Sequence, residues 1–156
     1  GVGFRYFKKG ETDKAMELFD QAIELETSVT NKAEMCYKAA VANYSLKKFA
    51  KAREYAQKAI SLNSKYGAPY ILIAQCYAAS PNWHEKPTMN KCTYFVVLDK
   101  LNRAKAVDPS VAKEAQKFIN SYSTHTPSAE DLFFLGYSKG QAITIGGWIN
   151  ERTTIR

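Results

Sequence analysis

Apolar residues recur three and four positions apart through most of the first 122 residues. In residues 11–25, ETDKAMELFDQAIEL, the apolar positions are Ala15, Leu18, Phe19, Ala22 and Ile23, the stripe of an amphipathic helix. The same period runs through residues 33–46 (AEMCYKAAVANYSL) and 48–62. It reappears in 70–77 (YILIAQCY), then over a long stretch, 89–106, and over 111–122. The connectors are residues 27–32 and a proline-bearing loop, 80–88 (SPNWHEKPT). Asp108-Pro109 closes the long helix, because proline cannot continue it. Ser110 is placed to cap the helix that follows.

The pattern changes past Thr124. Thr126-Pro127-Ser128 reads as a turn and N-cap, with Glu130 and Asp131 in the first turn, where the helix dipole favours acids. A short helix through residues 132–135 ends at Gly136. Residues 141–145 and 148–155 are β-favouring, with Ile143 and Ile145 alternating with Ala142 and Thr144. Asn150-Glu151 and Gly146-Gly147 compete for the turn. The prediction is a two-stranded hairpin, which must pack on the helices because it is marginal alone.

The helical part repeats. Ala15, Ala22, Ile23 and Leu25 of the first copy answer to Ala52, Ala59, Ile60 and Leu62 of the second. Small residues recur where two helices cross closely, and larger ones (Leu18, Phe19; Phe49, Tyr55) fill the space between layers. Gly3 and Tyr6 precede the Gly10 turn. In the next copy the small residue is Ala40, with the aromatic displaced to Tyr44. Tyr70, Ile73, Ala74 and Tyr77 open a third copy, in which Leu101, Ala104 and Val107 keep the spacing. The offset between the first two copies is 37 residues, slightly longer than the 34 of the tetratricopeptide repeat (TPR), which this pattern resembles over about residues 1–122. The resemblance implies an all-α superhelix of about three helix pairs: residues 1–32, 33–66 and 67–109. A covering helix follows at 110–122, and residues 123–156 form a short helix and β-hairpin tail packed on the repeats.

The tail, YSKGQAITIGGWINERTTIR, is similar to the closing segment of a group of bacterial TPR proteins that end in a glycine-tryptophan β element. Some of that group carry export signals, so the resemblance implies a bacterial origin and favours export over the cytoplasm, with localisation left open. Residue 1 is Gly and the chain opens inside a helical pattern, so a preceding segment is expected.

The TPR resemblance also implies what the chain does: it binds a protein or peptide, in a groove lined by the first helix of each pair. By register, the groove residues are Phe4, Phe7 and Lys8, then Tyr37, Val41 and Tyr44, then Ile71, Gln75 and Ala78. The set is largely apolar. Two readings stand: an open groove for a partner, or a structural module whose groove is occupied by its own tail or a neighbouring chain. Members that clamp a terminal carboxylate use Lys, Asn and Arg; Tyr37, Val41, Ala68 and Leu72 occupy those slots here, so no such clamp is expected. Trp148 either anchors the hairpin or contacts a partner.

Composition adds limits. The chain has 156 residues, is 46% hydrophobic and carries a net charge of +7, enough apolar content for a core. Lys47, Lys48, Lys51, Arg53 and Lys58 cluster around the second repeat's turn, but Phe49 and Tyr55 match core slots, so a solvated helix face is expected and nucleic acid is not the expected partner. Cys36, Cys76 and Cys92 lack CxxC spacing and read as reduced core residues, with a Cys76–Cys92 bridge left open for an exported protein. His84 and His125 read as exposed loop residues without a nucleophile nearby. Gly146-Gly147 lacks phosphate-loop spacing. Asp99 and Asp108 read as ordinary helix-surface and helix-end residues. The expectation is therefore no enzyme, no metal and no cofactor. A homo-oligomer remains open.

Overall fold

A computed structural model describes residues 12–156. The elements are α1 (Thr12–Leu25), α2 (Val29–Ser45), α3 (Phe49–Leu62), α4 (Ala68–Ala79), α5 (Pro87–Lys91), α6 (Thr93–Val107), α7 (Ala112–Tyr122), α8 (Ala129–Phe134), β1 (Ala142–Ile145) and β2 (Glu151–Thr154). Successive helices pack α1 on α2, α2 on α3, α3 on α4, α4 on α6 and α6 on α7. This is a helical solenoid with a small antiparallel hairpin, as the hydrophobic pattern predicts.

Alanine makes the crossings possible. Ala39, Ala40, Ala52, Ala56 and Ala59 are wholly buried where α2 meets α3, and a methyl group at the crossing lets two backbones approach closely. Tyr77, Phe95, Ile73 and Leu101 fill the layers beyond. Ser28 caps α2 by accepting from Asn31 N at 3.3 Å. The end of α2 turns through Lys47, whose φ of 59° lies in the left-handed region. There Lys47 N donates to Tyr44 O and Lys48 N to Asn43 O, each at 2.9 Å.

Three expectations need correction here. The stretch 89–106 is two helices, because Cys92 N donates to Met89 O and Phe95 N to Cys92 O, tightening the chain between α5 and α6. Buried Thr93 turns its hydroxyl to Pro81 O at 2.9 Å, tying this break to the preceding loop. Ser110 is not the cap of the following helix. Asp108 caps a 3-10 turn at Pro109–Val111, accepting from Ser110 N at 3.1 Å and from its hydroxyl at 2.6 Å, and α7 starts one turn later. Nor is Asp108 an ordinary helix end. Its other oxygen accepts from Gly67 N at 2.8 Å, joining the entry to α4 with the exit from α6. A Cβ on Gly67 would stand 2.6 Å from Asp108 Cβ and 2.5 Å from Val111 Cγ2, so this joint admits only glycine.

The hairpin pairs Ala142 with Thr154 and Ile145 with Glu151. Its β2 strand is shorter than the β-favouring run, and Trp148 and Ile149 lie in the connection. Both candidate turns are used: Gly147 (φ 64°) and Asn150 (φ 44°) are left-handed. Ile143, Ile145, Ile149, Thr153 and Ile155 face inward. At the far end, Ser128 caps α8 through Asp131 N at 3.1 Å, and Gly136 (φ 87°) closes it.

Lys47→Gly removes a left-handed lysine and should raise unfolding stability by about 0.5–1 kcal/mol in urea denaturation. Asp108→Ala should cost about 1–2 kcal/mol at neutral pH. Hydrogen bonds from Ser110, then from Gly67 N, hold the Asp108 carboxyl below its usual 3.8. Its contribution is present above that value and fades as pH falls through the lower folded value. The gap between wild type and Asp108→Ala should therefore close in acid and not in alkali.

Candidate partner-binding face and tail dock

On α2, Tyr37, Val41 and Tyr44 stand four and three residues apart, all half-buried on one face. Tyr37 meets Tyr66 with ring centroids 5.5 Å apart and Tyr44 meets Phe49 at 5.7 Å. Burial, and then the Glu114 carboxylate on α7, push the Tyr37 hydroxyl above its usual value. Burial pushes Tyr66 up to about 12, with Tyr37 the next cause. Tyr122 of α7 is also raised, by burial and then by Tyr44. The α2 row thus looks toward Tyr66 and toward the α7 residues Glu114 and Tyr122. Gln75 and Ala78 are half-buried on α4, whereas Ile71 is only 4% exposed and belongs to the core. Phe4, Phe7 and Lys8 lie outside the described residues.

In the sequence α7 reads only as a covering helix. In the structure it adds aromatic surface: Phe118 stacks on Tyr122 at 5.9 Å, and Tyr122 approaches Tyr94 at 6.0 Å. His125, exposed as expected, stacks on Tyr94 at 5.0 Å. The i, i+4 spacing of Phe118 and Tyr122 was the available signal. His84 is only half-exposed. Its Nδ1 accepts from Lys86 N at 3.0 Å, and its ring meets Trp83 edge-on.

Arg53 is the hub of the tail dock. Arg53 of α3 donates to Tyr77 Oη at 3.0 Å, Ile149 O at 2.7 Å and Trp148 O at 2.9 Å. Its guanidinium also lies 4.8 Å from the Trp148 ring centroid. Arg53 is therefore not part of a solvated basic face, because its planar fork reads two carbonyls and a phenol at once. Trp148 completes the joint: Nε1 donates to Ser80 Oγ at 3.2 Å, and its ring meets Tyr77 edge-on at 5.4 Å. The Tyr77 hydroxyl donates to Glu151 Oε1 at 3.1 Å, and Lys100 pairs with Glu151 at 3.1 Å. Asp99, expected to be an ordinary surface residue, accepts from Thr153 Oγ1 at 2.6 Å and pairs with Arg156. Trp83 covers Gly146 so closely that a Cβ there would stand 2.7 Å from its ring. Asn90 holds that loop, accepting from Trp83 N and His84 N and donating to His84 O.

The three cysteines are buried and free, with no Cys76–Cys92 bridge. Burial pushes Cys76 up to about 12 and Cys92 up to about 11, so little thiolate forms at neutral pH. Among the described residues no group of His, Cys, Asp and Glu is placed to hold a metal, and no helix is long and apolar enough to cross a membrane.

Arg53→Lys keeps the charge and loses the fork. It should lower stability by about 1.5–3 kcal/mol, the scale of hydrogen bonds to a charged group. Trp148 fluorescence should shift toward a solvent-exposed spectrum at lower denaturant than the helical circular-dichroism signal is lost.

A family model described as tetratricopeptide repeat matches residues 6–28 and 33–66. No curated protein matches the chain. The first match runs into α1, the second spans α2 and α3, and α4 with α6 repeats the helix-pair arrangement beyond it. Residues 6–28 and 33–66 are therefore similar to tetratricopeptide repeats, within a helical solenoid that ends in a two-stranded hairpin.

Proposed function

We propose that this chain is a non-enzymatic module that binds a protein or peptide through the face made by Tyr37, Val41 and Tyr44 of α2 and Gln75 of α4. Tetratricopeptide repeats generally mediate protein–protein interaction and scaffolding. The observation that carries the reading is the α2 row: three large side chains, half-buried on one face of a repeat helix. Rigid aromatics of this kind anchor interfaces at little entropic cost. The tail leaves this row alone in every hydrogen bond and ring contact described above. Arg53, Tyr77, Ser80, Phe95 and Asp99 receive it instead.

One observation favours the structural reading: Tyr37 and Tyr44 already touch Tyr66 and Phe49 of their own chain. The two readings separate in one experiment. Affinity capture from the native cell is run with the full-length protein and with Tyr37→Ala and Tyr44→Ala variants. The binding reading expects a captured partner to be lost while thermal stability changes by less than about 1 kcal/mol, as for partly exposed side chains. A fall in stability or a change in oligomeric state, with capture unchanged, overturns it. Trp148→Ala, at the tail dock, should lower stability and leave capture intact.

A further inference from the structure

A second surface lies between α1 and α3. Here a trench of about 690 Å³ is lined by none of the proposed binding-face residues. One wall is α1, which presents Asp13, Glu17, Asp20 and Glu24. These stand four, three and four residues apart, so they form one stripe along a helix face. The floor is apolar and sulfur-bearing, with Met16, Phe49 and Tyr55. On the opposite wall Lys48 and Lys51 stand at the rim. Lys51 is occupied by Glu54 at 3.4 Å and by the Tyr55 ring at 5.8 Å. Four carboxylates on one face contrast with the +7 of the whole chain.

Asn43 reaches the same trench from α2 and is wholly buried. Its Nδ2 donates to Ala39 O at 2.8 Å, which fixes the amide's orientation. Oδ1 is then left without a hydrogen-bond partner, and a buried acceptor in that state favours an incoming donor. Met16, whose Sδ lies 2.9 Å from Asn43 Nδ2, covers the amide with a flexible side chain.

Carboxylate stripe, apolar floor and unfilled acceptor ask for the same chemistry. An aliphatic stem would lie on Met16 and Phe49 and carry a cationic N–H donor at its tip. We propose that the α1–α3 trench binds a helical segment of a partner protein that presents lysine or arginine side chains at helical spacing. This site is independent of the α2 face and does not rest on the reading proposed for it.

The probe is a fluorescein-labelled helical peptide with lysines at i, i+4, i+7 and i+11 on an alanine background, followed by anisotropy. The wild-type protein should bind it, and binding should weaken as salt rises. The double variant Glu17→Lys, Glu24→Lys changes two exposed positions and spares Asp20, which accepts from the Tyr55 hydroxyl at 2.5 Å. It should weaken binding roughly tenfold, while far-ultraviolet circular dichroism stays unchanged. The matched variant Glu130→Lys, Asp131→Lys on α8 alters net charge equally and should change affinity less than about twofold, being distant from the trench. Equal losses in both variants, or no binding by the wild type, overturn the proposal. So does a concentration-dependent dimer in sedimentation velocity that Glu17→Lys, Glu24→Lys dissolves, which would make a second copy the occupant.

Discussion

The close approach of α2 and α3 across wholly buried alanines governs the rest of the molecule. A methyl group contributes little apolar area of its own, so the stabilisation comes from what the short distance brings together. Helices that close leave little room for large side chains at the crossing. Tyr37, Tyr44 and Phe49 are therefore displaced to the edges of the layer, where Tyr37 meets Tyr66 and Tyr44 meets Phe49. The same displacement puts aromatic surface on the α2 face and an apolar floor in the α1–α3 trench.

Electrostatics divides the molecule in a way that its net charge hides. Cations do internal structural work at the tail: Arg53 binds two carbonyls and a phenol, Lys100 holds Glu151, and Arg156 pairs with Asp99. Anions are concentrated along α1, where the stripe faces a trench. A chain of +7 thus carries one acidic stripe, while three of its basic residues are committed to packing the tail.

The features legible in the sequence are those set by local periodicity. The alanine spacing, the Asp-Pro stop, the Ser128 cap, the Gly136 close and the alternation of Ile143 with Ile145 each depend on neighbours within a turn or two. The features that escaped it depend on distant partners. Nothing near Arg53 in sequence marks it as the tail's anchor, because its acceptors lie some 95 positions away. Asp108 looked like a helix end until Gly67, 41 positions earlier, supplied its second donor. Ile71 kept the register of a groove residue, yet it turned into the core where α4 is covered on more than one side. The break at Cys92 follows from the Thr93 bond to Pro81, set by a loop whose conformation the periodicity did not describe.

The Asp108 carboxylate, bonded to Gly67 on one side and Ser110 on the other, has a mechanical meaning. Solenoids of stacked helix pairs change pitch by bending where one pair meets the next. Here one charged group spans two such joints, in a space where even a methyl group on residue 67 would not fit. The carboxylate thus pins the start of α4 and the turn into α7 to one point, which restrains the curvature there. A ligand lying along this part of the solenoid would have to match that curvature, and little binding energy would be spent on shaping the receptor.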